Sequence, residues 1–154
     1  MLLVPLAHAV EPTRASDGAW SAEVVWAVPA DAVRAQLADP IAMARFSPDI
    51  TSVTPLPPGR CARYRVATGN LVPLTYDMER CPTSSGWHET LVASEGLSAY
   101  EVDWSVKAEG EGARVRYEIH VQPSFPAPSF LVDRETKNSV ISLFGRLYRA
   151  VTGG

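Results

Sequence analysis

From Ala62 to Gln122 the chain alternates apolar and polar residues in one strand-length segment after another, and it then switches to helical spacing before its C-terminus. Period-two alternation sends successive side chains to opposite faces, so each segment has one face to bury and one for water. Tyr64, Val66, Tyr76, Met78, Trp87 and Leu91 fall on the apolar face, continued by Tyr100, Val102, Trp104, Tyr117 and Ile119. The opposite face carries charge, from Arg63, Arg65, Asp77 and Glu79 through Glu101, Asp103, Arg114, Arg116, Glu118 and His120. A sheet of this kind needs a cover. Val140, Ile141, Phe144, Leu147, Tyr148 and Val151 recur at helical spacing, which predicts a long amphipathic C-terminal helix as that cover.

The strand pairing can be read from the turns. "CARYRVA" and "LTYDMER" flank a Thr-Gly-Asn turn signal, and setting Tyr64 opposite Met78 also sets Arg63 opposite Glu79 and Arg65 opposite Asp77. Each such opposite-charge pair contributes about 0.2–1 kcal/mol. The same register brings the only two cysteines, Cys61 and Cys81, face to face. Opposed residues lie about 4.5–5.5 Å apart at Cα, inside the disulfide range. A bridge and a pair of free thiols are both open readings, decided by the compartment. Further on, Glu95-Gly96-Leu97-Ser98 predicts a type II′ turn that sets Leu91 opposite Val102 and Glu89 opposite Trp104. Pairing Val106 with Val115 across "KAEGEGAR" sets Trp104 opposite Tyr117 and Tyr100 opposite Val121.

The first third is organised differently. "AWSAEVVWAV" reads as a strand, "PADAVRAQLAD" as a short helix stopped by Pro40, "IAMARF" as a second short helix stopped by Pro48, and "DITSVTPL" as the next strand. "MLLVPLAHA" is an apolar run ending in the small-x-small pattern Ala7-His8-Ala9, without a positive n-region. Residues 1–18 are accordingly read as a signal-peptide remnant or disordered N-terminus, and 19–154 as one domain. Export to the periplasm or outside is the expectation, with a cytoplasmic location and a merely frayed N-terminus as the alternative. No stretch is long and apolar enough for a stable transmembrane segment, which leaves transient membrane contact open. A net charge of -3 argues against a nucleic-acid partner, which needs a concentrated basic surface.

The order is strand, two short helices, six strands and a long helix. It resembles the START-like helix-grip fold of the SRPBCC superfamily, and so does the local text "EVVWAVPADAVRAQLADPIAMARFSPDITSVTPL" and "YEVDWSVKAEGEGARVRYEIHVQP". The resemblance leans toward the polyketide cyclase and coenzyme Q-binding branch. It implies an α+β domain whose curved antiparallel sheet wraps around the C-terminal helix, leaving a cavity for a hydrophobic small molecule such as a lipid, quinone or polyketide.

Tyr64, Tyr76, Met78, Trp87, Glu89, Tyr100, Trp104, Tyr117 and Phe130 are the ligand-binding candidates, although an aromatic stripe of this kind is also what a filled core contains. The loop with Phe46, Ser47 and Pro48, and the segment from Phe125 to Phe130, are candidates for the rim. Glu89 is the most informative of these residues, because a carboxylate on the apolar face must reach water, a partner or a ligand. It is the one catalytic candidate, as a general acid/base supported by Tyr76, Tyr100 and Tyr117 in a cyclase or dehydratase, or it is simply hydrated at a cavity mouth. The three histidines do not converge by spacing, so no metal site is expected. Nucleophile elbows and phosphate-cradling glycine loops are absent, and no cofactor is called for.

Overall fold

The computed structural model describes residues 10–69 and 73–153. Two strands open it, β1 (Thr13–Arg14) and β2 (Trp20–Trp26), followed by helices α1 (Ala30–Leu37) and α2 (Pro40–Met43) and a 3₁₀ turn over Ala44–Phe46. Six strands follow, β3 (Ile50–Leu56), β4 (Ala62–Thr68), β5 (Leu74–Pro82), β6 (Gly86–Ser94), β7 (Leu97–Glu109) and β8 (Gly112–Pro123), before the long helix α3 (Ser129–Thr152). All pairings are antiparallel, in the order β1-β2-β8-β7-β6-β5-β4-β3. This is the helix-grip architecture.

The short helices begin where the local chemistry says they should. Pro40 occupies the first turn of α2, where its missing N–H costs nothing, and the Asp39 side chain accepts a hydrogen bond from the Ile41 amide at 3.0 Å. Helix α3 lays Val140, Phe144 and Leu147 on the inner face of the sheet, against Trp26, Trp104 and Tyr117. The rings interlock, with Trp104 4.4 Å from Tyr117 and 6.0 Å from Phe144 between centroids. Ile141, grouped with the apolar face in sequence, is instead 40% exposed.

Two of the three registers hold. In β4–β5, Tyr64 faces Met78 and Val66 faces Tyr76, and on the other side of the sheet Arg63 and Arg65 reach Glu79 and Asp77 at 2.9 and 2.8 Å. In β7–β8, Val106 faces Val115 and Trp104 faces Tyr117, closed by a turn in which Gly110 adopts φ +59°. The β6–β7 register is shifted by two residues, so Glu89 faces Val102 rather than Trp104, and Trp87 takes the place opposite Trp104. A shift by two preserves the faces, which is why the inward set survives the error. The type II′ turn is also absent, because a positive φ is found only at Gly18, Gly110 and Gly153 among the described residues. Gly96 serves closeness instead: a Cβ there would lie 2.5 Å from the Leu74 side chain. The Ser94 hydroxyl takes hydrogen bonds from the Gly96 and Leu97 amides, and the flanking ladders are irregular next to Met78 in β5–β6 and next to Leu97 in β7–β8.

The remnant read at residues 1–9 lies outside the described residues. Packing starts before residue 19: Val10 is buried in the main core, β1 pairs with β2, and Arg14 meets Asp133 of α3 at 3.0 Å. No helix among the described residues is long and apolar enough to cross a membrane.

Cys61 and Cys81 are joined in a disulfide with a Cα separation of 5.2 Å. It closes a loop over a sequence separation of 20, which constrains the unfolded chain by about 3 kcal/mol. Replacing both cysteines by alanine is expected to lower unfolding stability by roughly that amount, read as a drop in denaturant midpoint at unchanged slope, and intact-mass analysis of the unreduced wild type should show no alkylatable thiol.

Candidate functional site

Period two on β5 places Tyr76, Met78 and also Arg80 inside. Arg80 and Glu89 face each other across β5 and β6, each 5% exposed, with Arg80 Nε donating to Glu89 Oε2 at 3.1 Å. An unpaired charge at this depth would be severely penalised, so each residue depends on the other. Arg80 does more than neutralise. Its Nη2 donates to the carbonyl of Leu37 and its Nη1 to that of Ala38, at the C-terminal end of α1. Those are carbonyls that a helix leaves unsatisfied, at the end where a cation is favoured. The Trp87 ring covers the guanidinium, 4.5 Å from its centroid, and Met43 Sδ accepts a further contact at 3.4 Å. One ion pair thus ties the sheet to α1 and α2. Burial pulls the Arg80 pKa below its usual range, with the Glu89 charge opposing that shift.

Glu89 Oε1 takes a hydrogen bond from the Tyr100 hydroxyl at 2.7 Å. Tyr76 stacks on Tyr100 with centroids 4.7 Å apart, and Tyr117 lies on the neighbouring strand. Burial first, and then the negative charge of Glu89, push the pKa of all three phenols above the ordinary tyrosine value. They therefore remain protonated hydroxyls throughout the physiological range. The Tyr117 side chain, 7% exposed, lines the same space as Glu89 and brings a neutral hydroxyl to it.

That space is a cavity of about 430 Å³ between the inner face of the sheet and α3. Its walls are largely aliphatic, with Val66, Leu97 and Val102 from the sheet and Leu131, Val140 and Leu143 from the helix. The size suits a small organic ligand. Six of the nine ligand-binding candidates line it: Tyr76, Met78, Glu89, Tyr100, Trp104 and Tyr117. Three do not. Phe130 is 66% exposed, because helical phase turns it away when Leu131 and Val132 face inward. Trp87 is occupied with Arg80, and Tyr64 packs beside Val66, Tyr76 and Met78 without reaching the cavity. Of the rim candidates, Ser47, Phe125 and Ala127 line the cavity, while Phe46 is buried in the core.

Sequence reasoning missed Arg80, although the alternation that selected Tyr76 and Met78 selects it too. It also missed Asp49 and Ser139, whose side chains meet at 2.6 Å in the cavity wall. They come from the loop before β3 and from α3, and no local pattern joins them. On the outer face, His88 points away from the cavity as expected, and its Nδ1 lies 2.6 Å from Asp103, with Glu101 3.8 Å from Nε2. Strand pairing, not spacing, brings these three together.

An antiparallel sheet gripping a C-terminal helix over an apolar cavity defines a START-like protein. A family described as polyketide cyclase / dehydrase and lipid transport matches residues 19–152, and the chain belongs to it. Solved structures agree on the fold. A START superfamily protein from Mycobacterium smegmatis superposes with a TM-score of 0.76 at 16% identity, over 88% of this chain and 97% of that one. The Zhui aromatase/cyclase from a Streptomyces species gives 0.67 at 17% identity, over 86% and 94% of the two chains. A STAR-related lipid transfer protein from Xanthomonas axonopodis gives 0.63 at 16%, over 91% and 99%. No curated protein matches the sequence.

Removing one partner of the buried pair is expected to be far worse than removing both. Arg80→Ala should cost about 3–5 kcal/mol in chemical denaturation, and the double variant Arg80→Met/Glu89→Gln should recover a large share of that loss. Equal destabilisation by the single and the double variant would show that the pair is not what Arg80 contributes.

Proposed function

We propose that the protein binds and carries a hydrophobic small molecule, such as a lipid, quinone or polyketide, with the ligand's polar end set against Glu89 and the tyrosines. The observation that carries this reading is the cavity itself: about 430 Å³ with predominantly aliphatic walls and, in one region, a carboxylate and three protonated phenols. Apolar walls supply affinity by burying the ligand's surface, and the few polar groups set its orientation. The family's association with lipid transport and the similarity to a STAR-related lipid transfer protein support the same reading.

The second reading is a cyclase or dehydratase, supported by the family and by the similarity to an aromatase/cyclase. In that case Glu89 would exchange protons with an enolisable substrate and the tyrosine hydroxyls would hold its oxygens. The ion pair favours carriage. Both oxygens of Glu89 already accept hydrogen bonds, one from Arg80 and one from Tyr100, and protonating the carboxylate would strip a buried arginine of its counter-charge. We also propose an oxidising compartment, periplasmic or extracellular, which the Cys61–Cys81 bridge supports.

Native mass spectrometry of gently purified protein, followed by solvent extraction, tests carriage directly. A stoichiometric apolar adduct is expected, and Val121→Trp, which places a large ring in the cavity wall, should remove it while leaving the circular dichroism unchanged. A bare wild-type mass would count against carriage. With the extracted compound in hand, Glu89→Gln should leave its mass and chemistry unaltered if the protein carries it. An acid/base enzyme would instead lose about 10²–10⁴ in rate per folded molecule, and would lose it equally in Arg80→Met/Glu89→Gln, where no buried arginine is left unpaired.

A further inference from the structure

Resting on the carrier reading, the charge of the cavity narrows the class of ligand. Three carboxylates line it, Asp49, Glu89 and Glu135, and no lysine, arginine or histidine does among the described residues. Arg80 sits behind Glu89, its Nε 3.1 Å from Glu89 Oε2. Its guanidinium is engaged by Glu89, by the carbonyls of Leu37 and Ala38 and by Met43, so it neutralises the glutamate instead of receiving a ligand.

Asp49 is different. Its Oδ2 accepts from the Ser139 hydroxyl at 2.6 Å, which fixes the carboxylate in the wall, and no basic side chain pairs with it among the described residues. Among the described residues Glu135 meets Arg134 at 3.9 Å, both side chains partly in solvent. The cavity therefore carries uncompensated negative charge at Asp49, with a smaller, solvent-screened contribution from Glu135. An anionic head group would leave water for a site with no cation to meet it and two carboxylates to repel it, and both effects oppose binding. A hydroxyl or amine would find acceptors at Asp49 and Glu89, where its donors replace lost water.

We infer that the cavity selects uncharged or cationic amphiphiles bearing hydroxyl or amine donors, and rejects carboxylate and phosphate head groups. Repulsion and an unmet desolvation penalty are the means of discrimination, so the selection acts against the wrong ligand as much as for the right one.

Displacement of the neutral dye Nile red by decanol, decylamine and decanoate tests this with one chain length and three head groups, at about pH 8 where decanoate is ionised. Decanol and decylamine should displace the dye, and decanoate should need at least about tenfold more ligand. In the double variant Asp49→Asn/Glu135→Gln the gap between decanoate and decanol should narrow. If decanoate competes as well as decanol with the wild type, or if the variant leaves the gap intact, the inference is overturned and the cavity reading stands. If Nile red and all three amphiphiles fail to bind, the cavity reading falls and the inference falls with it.

Discussion

Seven spacings of about 4.8 Å make an eight-stranded sheet some 34 Å wide, whereas an α-helix with its side chains is only about 10–12 Å across. One helix cannot cover that apolar face. Curvature brings part of the sheet onto α3, and α1 packs against β7, β8 and α3 over the half that holds Trp26, Val106 and Val115. Over the other half, where Val66, Met78 and Leu97 form a separate cluster, coverage is incomplete and the space becomes the cavity. The binding site is the unfilled remainder of a covering problem.

Where the filled and unfilled halves meet, the chain places its buried ion pair. Apolar packing there would be at least as stabilising, since buried pairs often contribute less than a hydrophobic replacement. What the pair adds is direction. Arg80 holds the carbonyl end of α1 against the inner face, and Glu89 turns its second oxygen toward Tyr100 and the cavity. A single group of contacts fixes the short helices and orients the polar end of the site. On the outer face opposite charges serve the sheet, with Arg63–Glu79 and Arg65–Asp77 paired across strands, whereas the like-charged Asp103 and Glu118 stand opposite each other and oppose the pairing, with the His88 ring beside Asp103.

Much of this was legible in the sequence, because alternation and turn chemistry are local. The faces of β4 to β8, the β4–β5 register and the facing of Cys61 and Cys81 follow from period two and one turn, whereas the bridge between the two thiols was one of two open readings. Tyr76, Tyr100, Tyr117 and Glu89 were placed together by the same logic, and a two-residue error in the β6–β7 register left them together. That error came from reading Gly96 as a conformational glycine when its role is to admit Leu74. Phe130 was misplaced because composition marks a rim, while helical phase decides which residue of a segment faces it.

The sequence by itself determined the inward aromatic and aliphatic set of β4 to β8, that β4 pairs with β5, β6 with β7 and β7 with β8, and that the C-terminal helix lies over that face, since these are consequences of backbone period and chain order. Only the tertiary structure decided that the cover is incomplete, that Arg80 reaches the end of α1, and that Asp49 joins Ser139 in the wall. Those outcomes depend on the curvature of the sheet and on residues far apart in the chain, and no local pattern encodes the distance between them.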